Sequence, residues 1–179
     1  MPVVAHGIAD WLPEYQTLAA ATGGQGSLDA LFVFDGDNRR GRVRQTADTF
    51  RMYAPREVWI LGNEWLIEPL AEAGIPRDRL RRDGFVSTTA DQVDRTARIL
   101  SSRAIGRWAV LVSRLQAPRV ARLLAKIPSP GAVVPAPIDT EPPREGLGRF
   151  LPRYSALRLS RDALYEHIAM AYYTRRGVI

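Results

Sequence analysis

Three short apolar runs limit what this chain can fold into. ALFVF (30–34), VWIL (58–61) and WAVLV (108–112) contain no polar residue and are rich in β-branched and aromatic side chains. A strand with one wet face alternates polar and apolar residues, whereas an uninterrupted run of this length suits a strand covered on both faces. Each run is too short to cross a membrane, which takes about 20 apolar residues.

The segments between the runs have helical spacing. In residues 42–54, Val43, Ala47, Phe50 and Ala54 recur at steps of three and four, and Pro55 stops the pattern. Residues 64–73 form a second helix closed by Gly74 and Pro76, and residues 79–83 a minor strand. A third helix opens where Thr89 and Gln92 can form a capping box, with Val93, Ala97 and Leu100 as its stripe. Residues 116–126 turn Val120, Leu123 and Leu124 inward, and GAVVPAP (131–137) is a last strand that Pro135 assigns to a sheet edge. Trp11, Tyr15 and Leu18 suggest a helix over 9–22, and residues 138–157 form a long loop rich in proline and glycine. A terminal helix of about five turns follows, with Ser160 as its cap and Leu164, Ile168, Ala171 and Tyr172 on its apolar face.

Strands alternating with helices build right-handed βαβ units. The expectation is a helical extension over 1–27, then one α/β domain over 28–179. That domain is a three-layer sandwich of about five mostly parallel strands with helices on both faces. Ligands of such sheets bind beyond the carboxyl ends of the strands, where the strand order reverses.

Composition removes several chemistries. With no cysteine among 179 residues, disulfides, thiolate metal sites and cysteine nucleophiles are excluded. The net charge of +6 comes almost wholly from arginine, since Lys126 is the single lysine, and it steers anionic ligands toward the protein. The arginines are scattered among acidic neighbours, which speaks against a nucleic-acid surface. No basic leader with an apolar stretch opens the chain, so a cytoplasmic location is expected.

The loops at the strand ends hold the candidate site residues. In DGDNRRGR, Asp35 and Asp37 are acceptors or weak candidates for a magnesium ion, Gly36 permits close backbone approach, and Arg42 can grip phosphate or carboxylate. The same loop also reads as a solvated turn with local ion pairs. GNEW supplies Gly62, Asn63 and Glu64, the carboxylate either matching a helix dipole or holding a hydroxyl or amine. Ser87, Thr88 and Thr89 stand where free backbone N–H groups favour an anion. SRLQAPR offers Ser113, Gln116 and Arg119, the last either a surface arginine or part of the same crevice. His6 and His167 fit no catalytic or zinc spacing, and GGQG (23–26) precedes a strand and so is no dinucleotide fingerprint.

In order and spacing, SLDALFVFDG, Arg42 with Ala47, GNE (62–64), AGIP (73–76), TTADQ (88–92) and the terminal LSRDALYEHIAMAYYTRRG resemble the YdcF-like family of bacteria, which includes envelope proteins of the SanA and ElyC type. The resemblance spans about Asp29 to Gly177. It implies a Rossmann-like fold that binds a nucleotide-like ligand or S-adenosylmethionine, with Arg42, Glu64, Thr88, Thr89 and Arg119 facing one crevice. The chain departs from the family at DGDN, where glycines are usual, and at Gln116, where the family has histidine. Glutamine hydrogen-bonds but cannot shuttle a proton near neutral pH.

Three functions follow as expectations. The first is binding, transfer or hydrolysis of a small anionic ligand such as a nucleotide, S-adenosylmethionine or a sugar phosphate, with Glu64, Asp35 and Asp37 the candidates for catalysis. The second is a non-catalytic interaction module that has lost the histidine, with the terminal helix and Tyr165, Tyr172 and Tyr173 as a partner or dimer surface. The third is a magnesium-dependent phosphatase with Asp35 as nucleophile and Asp37 as acid/base, for which Lys126, Asp139 and Glu141 are the available later residues.

Overall fold

The computed structural model describes residues 27–36, 39–62, 64–84, 86, 88–129, 131–137 and 154–179. Residues 27–137 belong to one compact unit and 154–179 to another. The helix expected over 9–22 and most of the 138–157 loop lie outside the described residues.

The first unit is a parallel sheet. β1 (Ala30–Phe34) leads through α1 (Arg39–Tyr53) to β2 (Glu57–Leu61). A 3-10 turn (Glu64–Leu66) runs into α2 (Ile67–Glu72), and a second turn (Arg77–Arg79) leads to β3 (Leu80–Arg82). α3 (Thr89–Ser102), β4 (Trp108–Ser113), α4 (Ala117–Leu124) and β5 (Ala132–Ala136) complete it. The strand order is β3-β2-β1-β4-β5, with all four pairings parallel. The expected α/β sandwich is therefore the observed one, and Pro135 does lie on an edge strand, where a missing N–H is tolerated.

The apolar runs are buried on both faces, as their lack of alternation requires. Leu31, Val33, Val58, Ile60, Ala109 and Leu111 share one core cluster, against which Val43 and Phe50 of α1 and Ile67 of α2 pack. On the other face Phe32 stacks near Trp59 at a centroid distance of 6.5 Å and meets the edge of Trp108 at 6.1 Å. Each fully buried aliphatic or aromatic side chain contributes about 1.5–3 kcal/mol.

Helix ends follow local chemistry. After α1, Ala54 takes a left-handed φ of +41° instead of continuing the helix, and Pro55 has no N–H to extend it. The cap that opens α3 lies one residue earlier than the Thr89–Gln92 spacing suggests, and it is a side-chain cap without the reciprocal bond of a box. Thr88 is the cap: its hydroxyl accepts from the Asp91 N–H at 3.1 Å and donates to the Asp91 carboxylate at 2.6 Å. With Thr88 and Asp91 forming the cap, the Gln92 side chain is left for another use.

α5 (Tyr154–Arg175) lies in the second unit. It starts before Ser160, which is an interior residue and not the cap. The expected apolar face is also the wrong one: Leu159, Ala163 and Glu166 are buried, while Leu164, Ile168 and Tyr172 are 59%, 61% and 55% exposed. Apolar residues occur almost all round this helix, so periodicity could not choose between two faces. Among the described residues no helix is long and apolar enough to cross a membrane.

Candidate functional site

The strand order fixes where to look. From β1 the chain passes to β2 on one side, while β4 lies on the other, so the loops after β1 and β4 diverge and leave a crevice at their carboxyl ends. Asp35 and Gly36 follow β1, and Gln116 and Arg119 follow β4.

The floor of this crevice is polar although it is buried. Arg42, in the first turn of α1, is 0% exposed, and its Nη1 donates to the carbonyl of Phe34, the last residue of β1. The Thr46 hydroxyl donates back to the Arg42 carbonyl at 2.7 Å. α3 repeats the device beside it. Gln92 is 4% exposed and its Nε2 donates to the carbonyl of Leu61, the last residue of β2, at 2.8 Å. Thr96 donates to the Gln92 carbonyl at 2.9 Å. Phe34 and Leu61 are register partners, so two neighbouring strands end on side-chain donors. These buried side chains place their own polar groups on strand-end carbonyls, so neither the guanidinium nor the amide is buried without a hydrogen bond.

Above this floor, Gly36 has a φ of +148°, which suits glycine. A Cβ there would lie 2.9 Å from Arg42 Nη2 and 3.2 Å from Gln116 Nε2. Arg42 and Gln116 therefore close on the same backbone segment from α1 and from the start of α4. Gln116 is half-buried and spends no side-chain bond on capping α4. One turn on, Arg119 is 4% exposed, so it is a buried arginine and not a surface one. The loop after β1 is also tied to the β2 end: Asp35 N–H donates to the Leu61 carbonyl at 3.1 Å, and the Asp35 Oδ1 accepts from Gly36 N–H at 2.8 Å.

The other candidates stand differently. Gly62 lies against Asp35, with a φ of +138° and room for no Cβ. Ser113 is the half-buried last residue of β4. Thr88 is exposed and its hydroxyl is committed to the α3 cap, while Thr89 is half-buried in the first turn. Glu64 is 60% exposed and ion-paired with Arg82 of the edge strand β3. Asp37, Asn63 and Ser87 lie outside the described residues, as does His6. His167 bonds within its own helix, its Nδ1 2.9 Å from the Ala163 carbonyl. Among the described residues no group of three or more His, Asp or Glu side chains is placed to hold a metal ion.

The structure thus gathers Asp35, Gly36, Gly62, Arg42 and Gln116 at the ends of β1, β2 and β4, and adds Gln92. Reading Gln92 as half of a capping box hid it. The signal that could have found it is the spacing it shares with Arg42: a long polar side chain in the first turn, then threonine four residues on. Comparison with known proteins finds no matching family model, no matching curated protein and no matching solved structure.

Proposed function

We propose that the α/β unit binds a small anionic molecule, of the nucleotide, S-adenosylmethionine or sugar-phosphate kind, at the carboxyl ends of β1 and β4. The observation that carries this reading is the convergence of Arg42 and Gln116 on Gly36 at the point where strand order reverses. The absence of a Cβ at Gly36 lets the Arg42 guanidinium and the Gln116 amide close on the loop, where they supply positive charge and hydrogen-bonding capacity in a site shielded from water. The resemblance to the YdcF-like family points the same way, because Arg42 and Arg119 are among the positions it marks. Glutamine at 116 favours binding or group transfer over proton shuttling.

A thermal-shift panel of nucleotides, S-adenosylmethionine and sugar phosphates tests this. A ligand at 100 times its Kd stabilises by about 2.7 kcal/mol, or roughly 5–10 °C for a chain of this size. Gln116→Ala should keep the melting temperature of the free protein and lose most of the ligand shift, and Gln116→Glu should abolish it. If no anion shifts the wild type, or if Gln116→Ala responds as the wild type does, the reading fails.

A further inference from the structure

The opposite end of the sheet carries a second concentration of charge. A groove of about 510 Å³ opens at the amino ends of the strands, lined by Arg56, Arg79, Arg81 and Arg103 together with Asp29, Glu57 and Asp78. Four guanidiniums face three carboxylates there, an excess of one positive charge (4 − 3 = 1).

The bonding within the groove fixes Arg81, which also donates to the Asp78 carbonyl at 2.6 Å, and Arg103, and leaves Arg56 and Arg79 mostly uncommitted. Glu57 engages two arginines at once, Arg81 Nε at 3.2 Å and Arg103 Nη1 at 3.4 Å. Arg103 also lies over the Trp59 ring, its guanidinium carbon 4.8 Å from the ring centre. Asp29 is spent on the loop before β4, its Oδ2 accepting from the N–H groups of Gly106 at 3.0 Å and Arg107 at 2.9 Å. Arg56 stands 3.9 Å from the other Asp29 oxygen, an ion pair too long for a hydrogen bond. Among the described residues Arg79 makes one side-chain hydrogen bond, from Nη1 to the Arg56 carbonyl at 3.3 Å. A guanidinium has five N–H donors, so Arg56 and Arg79 keep most of theirs for a ligand. Arg81 and Arg103 are oriented by Glu57 in advance.

We propose that this groove is an anion site, distinct from the strand-end crevice, that takes a diphosphate-bearing small molecule. Its volume lies in the range of small-ligand sites. Four arginines exceed what one phosphoryl group can use, and two linked phosphoryl groups present enough acceptor oxygens to engage guanidiniums from both walls. Asp78 opposes the ligand, so its neutralisation should help.

Isothermal titration of the full chain with inorganic pyrophosphate, at low and moderate salt, is the test. Arg56→Glu and Arg79→Glu are surface changes that leave the fold intact by circular dichroism, and each should weaken pyrophosphate at least tenfold. Asp78→Asn should tighten it, and Gln116→Ala, at the other end of the sheet, should leave it unchanged. Equal affinity in Arg79→Glu and wild type would overturn the assignment. So would binding of a single-stranded RNA that pyrophosphate does not displace.

Discussion

Gly62 is where the ends of β1 and β2 press most closely, and its replacement by alanine can be worked through. The new Cβ would stand 2.3 Å from the Asp35 Cβ, where carbon atoms ordinarily pack at about 3.5–4.0 Å. The clash is with an atom fixed to the backbone, and the Asp35 N–H to Leu61 carbonyl bond of 3.1 Å ties the two segments together, so neither can swing aside alone. The φ of +138° adds backbone strain, about 1–3 kcal/mol for a side-chain-bearing residue. Overpacking adds about 1–3 kcal/mol more. We expect Gly62→Ala to lose about 3–4 kcal/mol in urea denaturation, or roughly 10 °C in thermal melting. Gly74 is the control: its φ is +94°, but a Cβ there meets nothing within 4 Å, so Gly74→Ala should show the strain alone. Adding Asp35→Gly to Gly62→Ala should recover the packing part. If Gly62→Ala costs no more than Gly74→Ala, or if Asp35→Gly fails to rescue it, the close approach does not govern this end of the sheet.

Three further outcomes are expected. The backbone N–H of Arg107 first, then that of Gly106 and the charge of Arg56, hold the Asp29 carboxyl below its ordinary value of 3.8. Its lowered pKa stabilises the fold above the unfolded value, so Asp29→Asn should cost about 1 kcal/mol at pH 7. That difference should vanish as the pH falls from near 4 through the lower folded value, which denaturation at pH 7, 5 and 3 would show. Thr88→Ala removes the α3 cap and should cost about 1 kcal/mol by urea denaturation, whereas Thr89→Ala should cost less. Ile60→Ala, in a fully buried position of β2, should cost about 2–5 kcal/mol in the same assay.

The sheet was legible because its strands are apolar without interruption. ALFVF, VWIL and WAVLV can only be covered on both faces, and Pro135 marks an edge by chemistry alone. The floor of the crevice was less legible. Apolar spacing in α1 assigns Val43, Ala47 and Phe50 inward, yet Arg42, Thr46 and Thr49 are buried as well. Periodicity rules assume that a polar side chain seeks water, whereas Arg42 bonds to a strand end and Thr46 to its own helix. Arg42 was found by its loop and Gln92 was not, since a glutamine three residues after a threonine has a simpler explanation in sequence. Glu64 failed to join the group for an electrostatic reason: Arg82, a residue of the short strand β3, claims its carboxylate. The arginines at the amino ends of the strands are dispersed along the chain from 56 to 103, and only the parallel arrangement brings them together.

The central place of β1 has a consequence for how the chain is made. Its first partner, β2, begins 27 residues later (57 − 30 = 27) and its second, β4, 78 residues later (108 − 30 = 78). At about 5–20 residues per second of synthesis, one edge of Leu31–Phe34 waits several seconds longer than the other for its neighbour. During that interval the nascent protein displays an apolar strand with a row of open hydrogen-bonding groups, a template for pairing with another chain. The segment that organises the finished sheet is therefore also the one that most requires shelter during translation.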